Sequence, residues 1–341
     1  MRSDVGAAPL ERWSWPERDT SGVSRLWSDL NERGTSFFRC PEAADQSVEP
    51  AQVVERLLGV RPTKVAVVAI KPEPETALSP IQRRSYPHTT VAARFHVDPD
   101  PEGVLPPHVQ VMICRRQAVQ GGESLILDVW RLLAEIEATE PDLFRQLFET
   151  PRRLSFPGND AFGPTIACRQ GNLVCFHGAV PPGDGVGRSF RKWIDAATPF
   201  EFRAEAGDVY INNNHRTLHG RRAFTDSSRE FLRILAWFRE PLAAPDPFLD
   251  RAGAVSRALS ARMTGEPLWV RQAFGFDLPT AERLGCFGGT APGHDRRLRR
   301  RAWYASVPAG TPPEQVQARL DTVLDRLRRG ADGVLERAEG R

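Results

Sequence analysis

Lysine is almost missing from this chain: it is confined to Lys64, Lys71 and Lys192, and arginine supplies the rest of the 46 basic residues. The bias reads as genome composition rather than function. Basic residues are scattered among 43 acidic ones, leaving a formal net charge of +3, and the one local basic run is Arg296–Arg301. A nucleic-acid partner would call for a concentrated basic face, so none is expected. Long apolar runs are lacking too. No segment approaches the ~18 apolar residues of a membrane span, and Met-Arg-Ser-Asp-Val-Gly has no apolar signal-peptide core, so no membrane association is expected. The cysteines are five, an odd number, with no Cys-x-x-Cys pair. Secretory disulfide frameworks are dense and even, so the expected setting is the reducing cytoplasm. No internal repeat is visible.

What is present fits a soluble globular protein: 40% hydrophobic and 26% charged residues in 341. That length allows two or three average domains, or one large β-fold with additions. Helical spacing marks Ser21–Arg33, Pro50–Leu58, Val129–Ala138 (with Asp128 as its N-cap) and Pro141–Phe148. Strand signals fall at Ser36–Cys40, Lys64–Ile70 (read as buried), Val109–Cys114 and Glu123–Leu127. Further short ones fall at Arg152–Phe156, Ile166–Arg169, Leu173–Phe176, Phe190–Ile194 and Phe200–Arg203. Many short strands separated by turns indicate a sandwich or barrel. Beyond Pro241 the pattern turns helical, at Asp246–Arg262 and Pro313–Arg329, around an aromatic, irregular middle.

The stretch Gly207–Arg239 organises the rest. Two strand-like runs flank a polar turn at Thr225–Ser228; the first presents His219 and the second Arg233. A hairpin-like pairing of these runs would bring the two side chains together. Upstream, His96 and Asp98 are two residues apart, so on a strand both point to one face. Two histidines and one carboxylate form the facial triad of non-heme Fe(II) oxygenases, which leaves coordination positions open. His215 stands four before His219, but Tyr210–Asn214 does not read as a helix, so a helical zinc pair is rejected.

The chain resembles the Fe(II)/2-oxoglutarate-dependent dioxygenases, in the branch of taurine dioxygenase and clavaminate synthase. The resemblance rests on five ordered motifs between Phe95 and Phe238. They are the His96-x-Asp98 pair, Pro106-Pro107 before Val109–Cys114, the Gly121-Gly122-x-Ser124 turn, the run Asn214–Arg221 containing Leu-His-Gly-Arg, and Arg233 about fourteen beyond the histidine. The resemblance implies a double-stranded β-helix, or jelly roll, mainly β with flanking helices. The expected organisation is a core with N-terminal elements over 1–240 and a mainly helical extension over 241–341. That tail is expected to pack on the core, with a homodimer contact through its helices as the alternative.

The same resemblance implies Fe(II) held by His96, Asp98 and His219, with 2-oxoglutarate as cosubstrate and O2 as oxidant. The far carboxylate of 2-oxoglutarate needs a buried cation, and Arg233 is the expected clamp, with Ser124 as a second donor. The expected reaction is hydroxylation of an unactivated C–H of a small molecule, an amino acid or a specialised metabolite, with release of succinate and CO2. Halogenating relatives lose the carboxylate that Asp98 supplies here. Desaturation or cyclisation at the same metal site is the alternative outcome, and a non-catalytic or zinc-binding β-barrel the alternative class. For substrate contact the candidates are Tyr86 and His88, in the proline-rich loop Lys71–Thr90 expected to act as a lid. Arg229 joins them, since it resembles a second arginine that some relatives place near the active site.

Overall fold

The computed structural model describes residues 10–16, 21–44, 47–73, 88–99, 105–150, 152–156, 159–169, 171–178, 180 and 184–262. In chain order the elements begin β1 (Trp13–Ser14), α1 (Ser21–Arg33), β2 (Thr35–Arg39), α2 (Pro50–Leu58), β3 (Lys64–Ile70) and β4 (Ala93–His96). Next come β5 (Val109–Arg116), β6 (Ser124–Asp128), α3 (Val129–Thr139), α4 (Pro141–Glu149), β7 (Arg152–Phe156), β8 (Asn159–Gly163), β9 (Ile166–Arg169) and β10 (Asn172–Cys175). The last are α5 (Gly185–Ala196), β11 (Phe200–Phe202), β12 (Asp208–Asn213), β13 (Thr217–Arg221), β14 (Glu230–Trp237) and α6 (Asp246–Arg262). The chain divides into two compact units, one of 1–100, 106–144 and 188–244, the other of 101–105, 145–187 and 245–341.

The first unit is a jelly roll of two sheets. One has six strands in the order β1-β2-β12-β5-β14-β3, the other four in the order β11-β6-β13-β4. Strand β5 shows why its sequence folds this way. Val109, Val111 and Ile113 point outward and pack with Leu26 and Leu30 of α1 and with Val53, Val54, Leu57 and Leu58 of α2. Met112 and Cys114 point inward, into a cluster with Tyr210, Phe231 and Phe37 of their own sheet and Ile126 and Phe202 of the four-stranded one. Both faces are covered, so β5 is buried from Val109 to Cys114 although its side chains alternate. Apolar burial of this extent is the main favourable term in folding.

Helix α3 begins where expected: Asp128 accepts a hydrogen bond from the Trp130 backbone N–H at 3.0 Å. Strand β3, expected to be buried, is instead the exposed edge of the six-stranded sheet, and Val67 is 44% exposed. β-branched content reports strand propensity, not position in the sheet. Phe190–Ile194, expected as a strand, lies inside α5. Val186, Phe190 and Ile194 recur at helical spacing, and Asp184 accepts from the Gly187 N–H at 2.8 Å at the start of the helix.

The second unit contains the antiparallel pairs β7–β8 and β9–β10, with α6 against the latter. The short strands expected between 152 and 176 are therefore strands, but in two-stranded sheets of their own rather than in the jelly roll. The helix expected at Pro313–Arg329 lies outside the described residues, as does the irregular stretch before it. Among the described residues no helix is long and apolar enough to cross a membrane.

Candidate metal centre

The organising stretch is not a hairpin. Strand β13 pairs with β4 and β6, whereas β14 pairs with β5 and β3. The connection 222–229 passes from one sheet to the other. Both edges of β14 are occupied by long ladders, which leaves no edge for β13. His219 and Arg233 still converge, because they face each other across the jelly-roll interior rather than along a ladder.

On the four-stranded sheet His219 and His96 are cross-strand partners, their ring centroids 4.3 Å apart. Gly220 permits this pairing, since a Cβ there would lie 2.9 Å from the Ala93 carbonyl oxygen at the register shift between His219 and Arg221. Asp98 follows β4 and is fixed by Asn214. The Asn214 carbonyl oxygen accepts from the Asp98 N–H at 3.0 Å, and its amide donates to the Asp98 and Pro107 carbonyls, each at 3.0 Å. One ligand atom from each of His96, Asp98 and His219 falls within 4.8 Å of the others.

The protonation states suit a cation. Burial, then the neighbouring His96, pushes His219 down to about 3. Burial also lowers His96, although that residue as a whole is only partly buried. Both imidazoles are therefore neutral near neutral pH and can offer a lone pair. The His96 Nδ1 is 2.7 Å from the Arg94 carbonyl, so Nδ1 carries the proton and Nε2 keeps the lone pair. Burial alone would raise Asp98, but the charge of Arg233, the two imidazoles and a hydrogen bond from Gln110 more than offset it and hold the carboxyl at about 2. Two neutral histidines and one ionised carboxylate on one face are the donor set an octahedral Fe(II) takes while keeping open positions, so the residues fit that metal.

The expected cosubstrate residues have different partners. Arg233 Nη1 lies on Asp98 Oδ1 at 2.6 Å, at the metal ligands themselves. The Ser124 hydroxyl donates to the Tyr210 hydroxyl at 3.1 Å. The arginine beside this pair is Arg229. It is 2% exposed, its guanidinium stacks on Phe231 at 3.9 Å, and its charge is felt by the buried Tyr210. Among the described residues it has no carboxylate partner, and its Nε has no hydrogen-bond partner. A buried guanidinium without an anion is costly, and burial lowers its pKa. Gly122 makes room for it, because a Cβ there would lie 3.2 Å from Arg229 Nε on a backbone with φ +79. Arg221, also buried, donates to the Thr89 and Val91 carbonyls at 2.9 and 2.6 Å and so ties down the end of the loop that begins at Lys71.

Of the substrate candidates, His88 sits 3.6 Å from Glu73, and Glu73 N–H donates to the His88 carbonyl at 3.2 Å, joining the two ends of that loop. Tyr86 lies outside the described residues. Sequence reasoning gave no role to Gln110 and Tyr210, and named Asn214 only as the start of its motif. Gln110 was detectable: it is the one strongly polar side chain in Val109–Cys114, at the parity of Met112 and Cys114. Arg216 was hidden in its own motif. It holds Asp128 with Nε at 2.8 Å and donates to the Leu30, Asn31 and Glu32 carbonyls, anchoring the start of β13 to the end of α1.

The sequence matches the family described as "Taurine catabolism dioxygenase TauD, TfdA family" over residues 3–167 and 172–235. Among solved structures, one similar chain is an asparagine oxygenase in complex with Fe(II), 2S,3S-3-hydroxyasparagine and succinate. Its identity is 16%, with 65% of this chain and 80% of that chain covered at a TM-score of 0.49. Another is the non-heme iron oxygenase OrfP in complex with Fe and alpha-ketoglutaric acid, at 14% identity, covering 68% of this chain and 95% of that chain with a TM-score of 0.46.

Proposed function

The chain belongs to the taurine catabolism dioxygenase family, TauD/TfdA, and from that premise we propose that it hydroxylates a small, carboxylate-bearing molecule such as an amino acid at a site built on His96, Asp98 and His219. It is an enzyme, an Fe(II)- and 2-oxoglutarate-dependent dioxygenase that uses O2. Bound Fe(II) supplies the chemistry that couples decarboxylation of 2-oxoglutarate to succinate and CO2 with oxidation of a substrate C–H.

The chain's own residues do the rest. His96 and His219 offer neutral imidazoles, and Asp98 an ionised carboxylate, so the three neutralise part of the metal charge while leaving one face free. The observation that carries the anion assignments is the contrast between the two arginines. Arg229 is buried with no carboxylate among the described residues, and its charge acts on Tyr210, the hydroxyl partner of Ser124. We assign it, rather than Arg233, to the far carboxylate of 2-oxoglutarate, with the hydroxyls of Ser124 and Tyr210 as further donors. Arg233, at the metal ligands, is then the hook for a carboxylate on the substrate. Its Nε has no partner among the described residues, so it keeps donor capacity while it touches Asp98. The apolar cluster of Met112, Ile126, Phe202 and Phe231 excludes water from the interior. The presence of Asp98 supports hydroxylation over halogenation, because no ligand position is given up to a halide.

The test is a split of Michaelis constants. Arg229→Ala should raise the 2-oxoglutarate KM by about 10–100-fold, the worth of a charge-assisted pair, and Arg233→Ala should act on the organic substrate instead. The reverse pattern would return the cosubstrate to Arg233. Mass analysis of the product separates one added oxygen, which is hydroxylation, from the loss of two hydrogens, which is desaturation.

A further inference from the structure

Behind the metal ligands, a row of buried polar side chains runs across the six-stranded sheet and ends on Asp98. Thr35 Oγ1 on β2 donates to Asn212 Oδ1 on β12 at 2.7 Å. Asn212 Nδ2 donates to Gln110 Oε1 on β5 at 2.9 Å. Gln110 Nε2 donates to Asp98 Oδ2 at 2.6 Å and lies 3.1 Å from His219 Nε2. Thr35, Asn212 and Gln110 are cross-strand neighbours in register, so the ladders themselves hold the row in line. Exposure is 0% for Thr35 and Asn212, 2% for Gln110 and 5% for Asp98.

The row can run in one direction only. An ionised carboxylate accepts hydrogen bonds and never donates them, so Gln110 must turn its NH2 group to Asp98 and its carbonyl to Asn212. Asn212 must then present its own NH2 to Gln110 and its carbonyl to the Thr35 hydroxyl. Each bond polarises the next in the same sense. A glutamine in this place is expensive unless both ends are satisfied, and here both are.

We propose that Gln110 is a positioning residue of the metal centre: its side-chain amide, locked from behind by Asn212 and Thr35, sets the orientation of the Asp98 carboxylate for the metal. The proposal rests on the reading of His96, Asp98 and His219 as metal ligands. Gln110, on β5 of the six-stranded sheet, holds a ligand that follows β4 of the other sheet. Arg233 also touches Asp98, but through the other oxygen, at the end of a long side chain that carries a charge other anions can claim. Gln110 is the short, neutral contact that an arriving anion cannot draw away.

The experiment measures Co(II) affinity of the full chain by optical titration, with no cosubstrate and no turnover, beside thermal unfolding of the metal-free protein. Wild type is compared with Gln110→Met, which keeps the length and removes the amide, and with Thr35→Val, which keeps the shape and removes the hydroxyl at the far end. Gln110→Met should bind Co(II) about 10–100-fold more weakly, the usual loss when a hydrogen-bond partner of a metal ligand is removed. Thr35→Val should weaken binding in the same direction by a smaller factor, because Asn212 then loses the donor that holds it behind Gln110. Wild-type affinity in both variants, with or without a fall in Tm, overturns the proposal and leaves Gln110 a packing residue. Should Gln110→Met fail to fold, unchanged affinity in Thr35→Val overturns it alone. A wild-type chain that binds no Co(II) at all would instead overturn the metal reading on which the proposal stands.

Discussion

Two arginines four positions apart, Arg229 just before β14 and Arg233 on it, divide the work of binding anions. Counting residues from the histidine singles out Arg233, and nothing in the count favours Arg229. Burial makes the distinction. Arg233 is near the metal ligands and has a carboxylate, while Arg229 is more buried and has none among the described residues. Ser124, matched to the cosubstrate by its place after Gly121-Gly122, lies with Tyr210 beside Arg229, and this is what moves the assignment. Ser124→Ala should raise the 2-oxoglutarate KM by only about 2–10-fold, because it removes one neutral hydrogen bond. An effect as large as that of Arg229→Ala would mean that Ser124 carries more than a single neutral donor. The triad was legible from spacing because metal ligation demands fixed residue types in fixed order. Gln110 stood out as a polar residue in an apolar strand and Asn214 as a motif residue, but their partners did not, because a hydrogen bond to a ligand segment can come from any strand that passes behind it.

At the level of elements, alternation and turn residues indicated a sandwich or barrel, the family resemblance implied the jelly roll, and the departures share a cause. Periodicity reports which face of a segment is apolar, not which partner covers it. It therefore marked β3 as a strand but could not place it at the edge, and it marked β13 and β14 as strands but joined them into a hairpin. The pairing that matters is β13 with β4, and it turns on Gly220. Gly220→Ala puts a methyl 2.9 Å from the Ala93 carbonyl oxygen. The strands must part by some tenths of an ångström, at an expected cost of about 1–3 kcal/mol in stability by analogy with overpacked cores. Since His96 and His219 face each other across this pair, Co(II) affinity should fall as well. A variant with lowered Tm and wild-type Co(II) affinity would show that the two histidines tolerate the displacement.

At the scale of the molecule, acid should undo the fold through histidines that take no part in metal binding. His108 and His215 are both buried, ring centroids 4.8 Å apart. His108 Nδ1 accepts from the Phe238 N–H at 3.3 Å, and His215 Nε2 donates to the Pro106 carbonyl at 2.9 Å. Burial holds His108 at about 4, and burial together with His108 holds His215 at about 3, against an ordinary 6.5. Both values are lowered in the folded state, so between about pH 6.5 and pH 3–4 the unfolded chain binds more protons. Stability is then complete above pH 6.5 and declines as the pH falls, by up to about 1.4 kcal/mol per pH unit for each histidine. Replacing His108 with Phe should flatten part of that slope in denaturant titrations taken from pH 7 to pH 4. An unchanged slope would assign the acid sensitivity to other groups.

The central claim is that His96, Asp98 and His219 bind the Fe(II) that turns over 2-oxoglutarate. It is tested most directly by succinate formation from 2-oxoglutarate in air, with Fe(II) added, in wild type and in His219→Ala, each first shown by circular dichroism to be folded. The account predicts succinate from wild type in the presence of a suitable amino acid or small acid, and none above the enzyme-free background from the variant. Succinate formed at the wild-type rate by folded His219→Ala would contradict it.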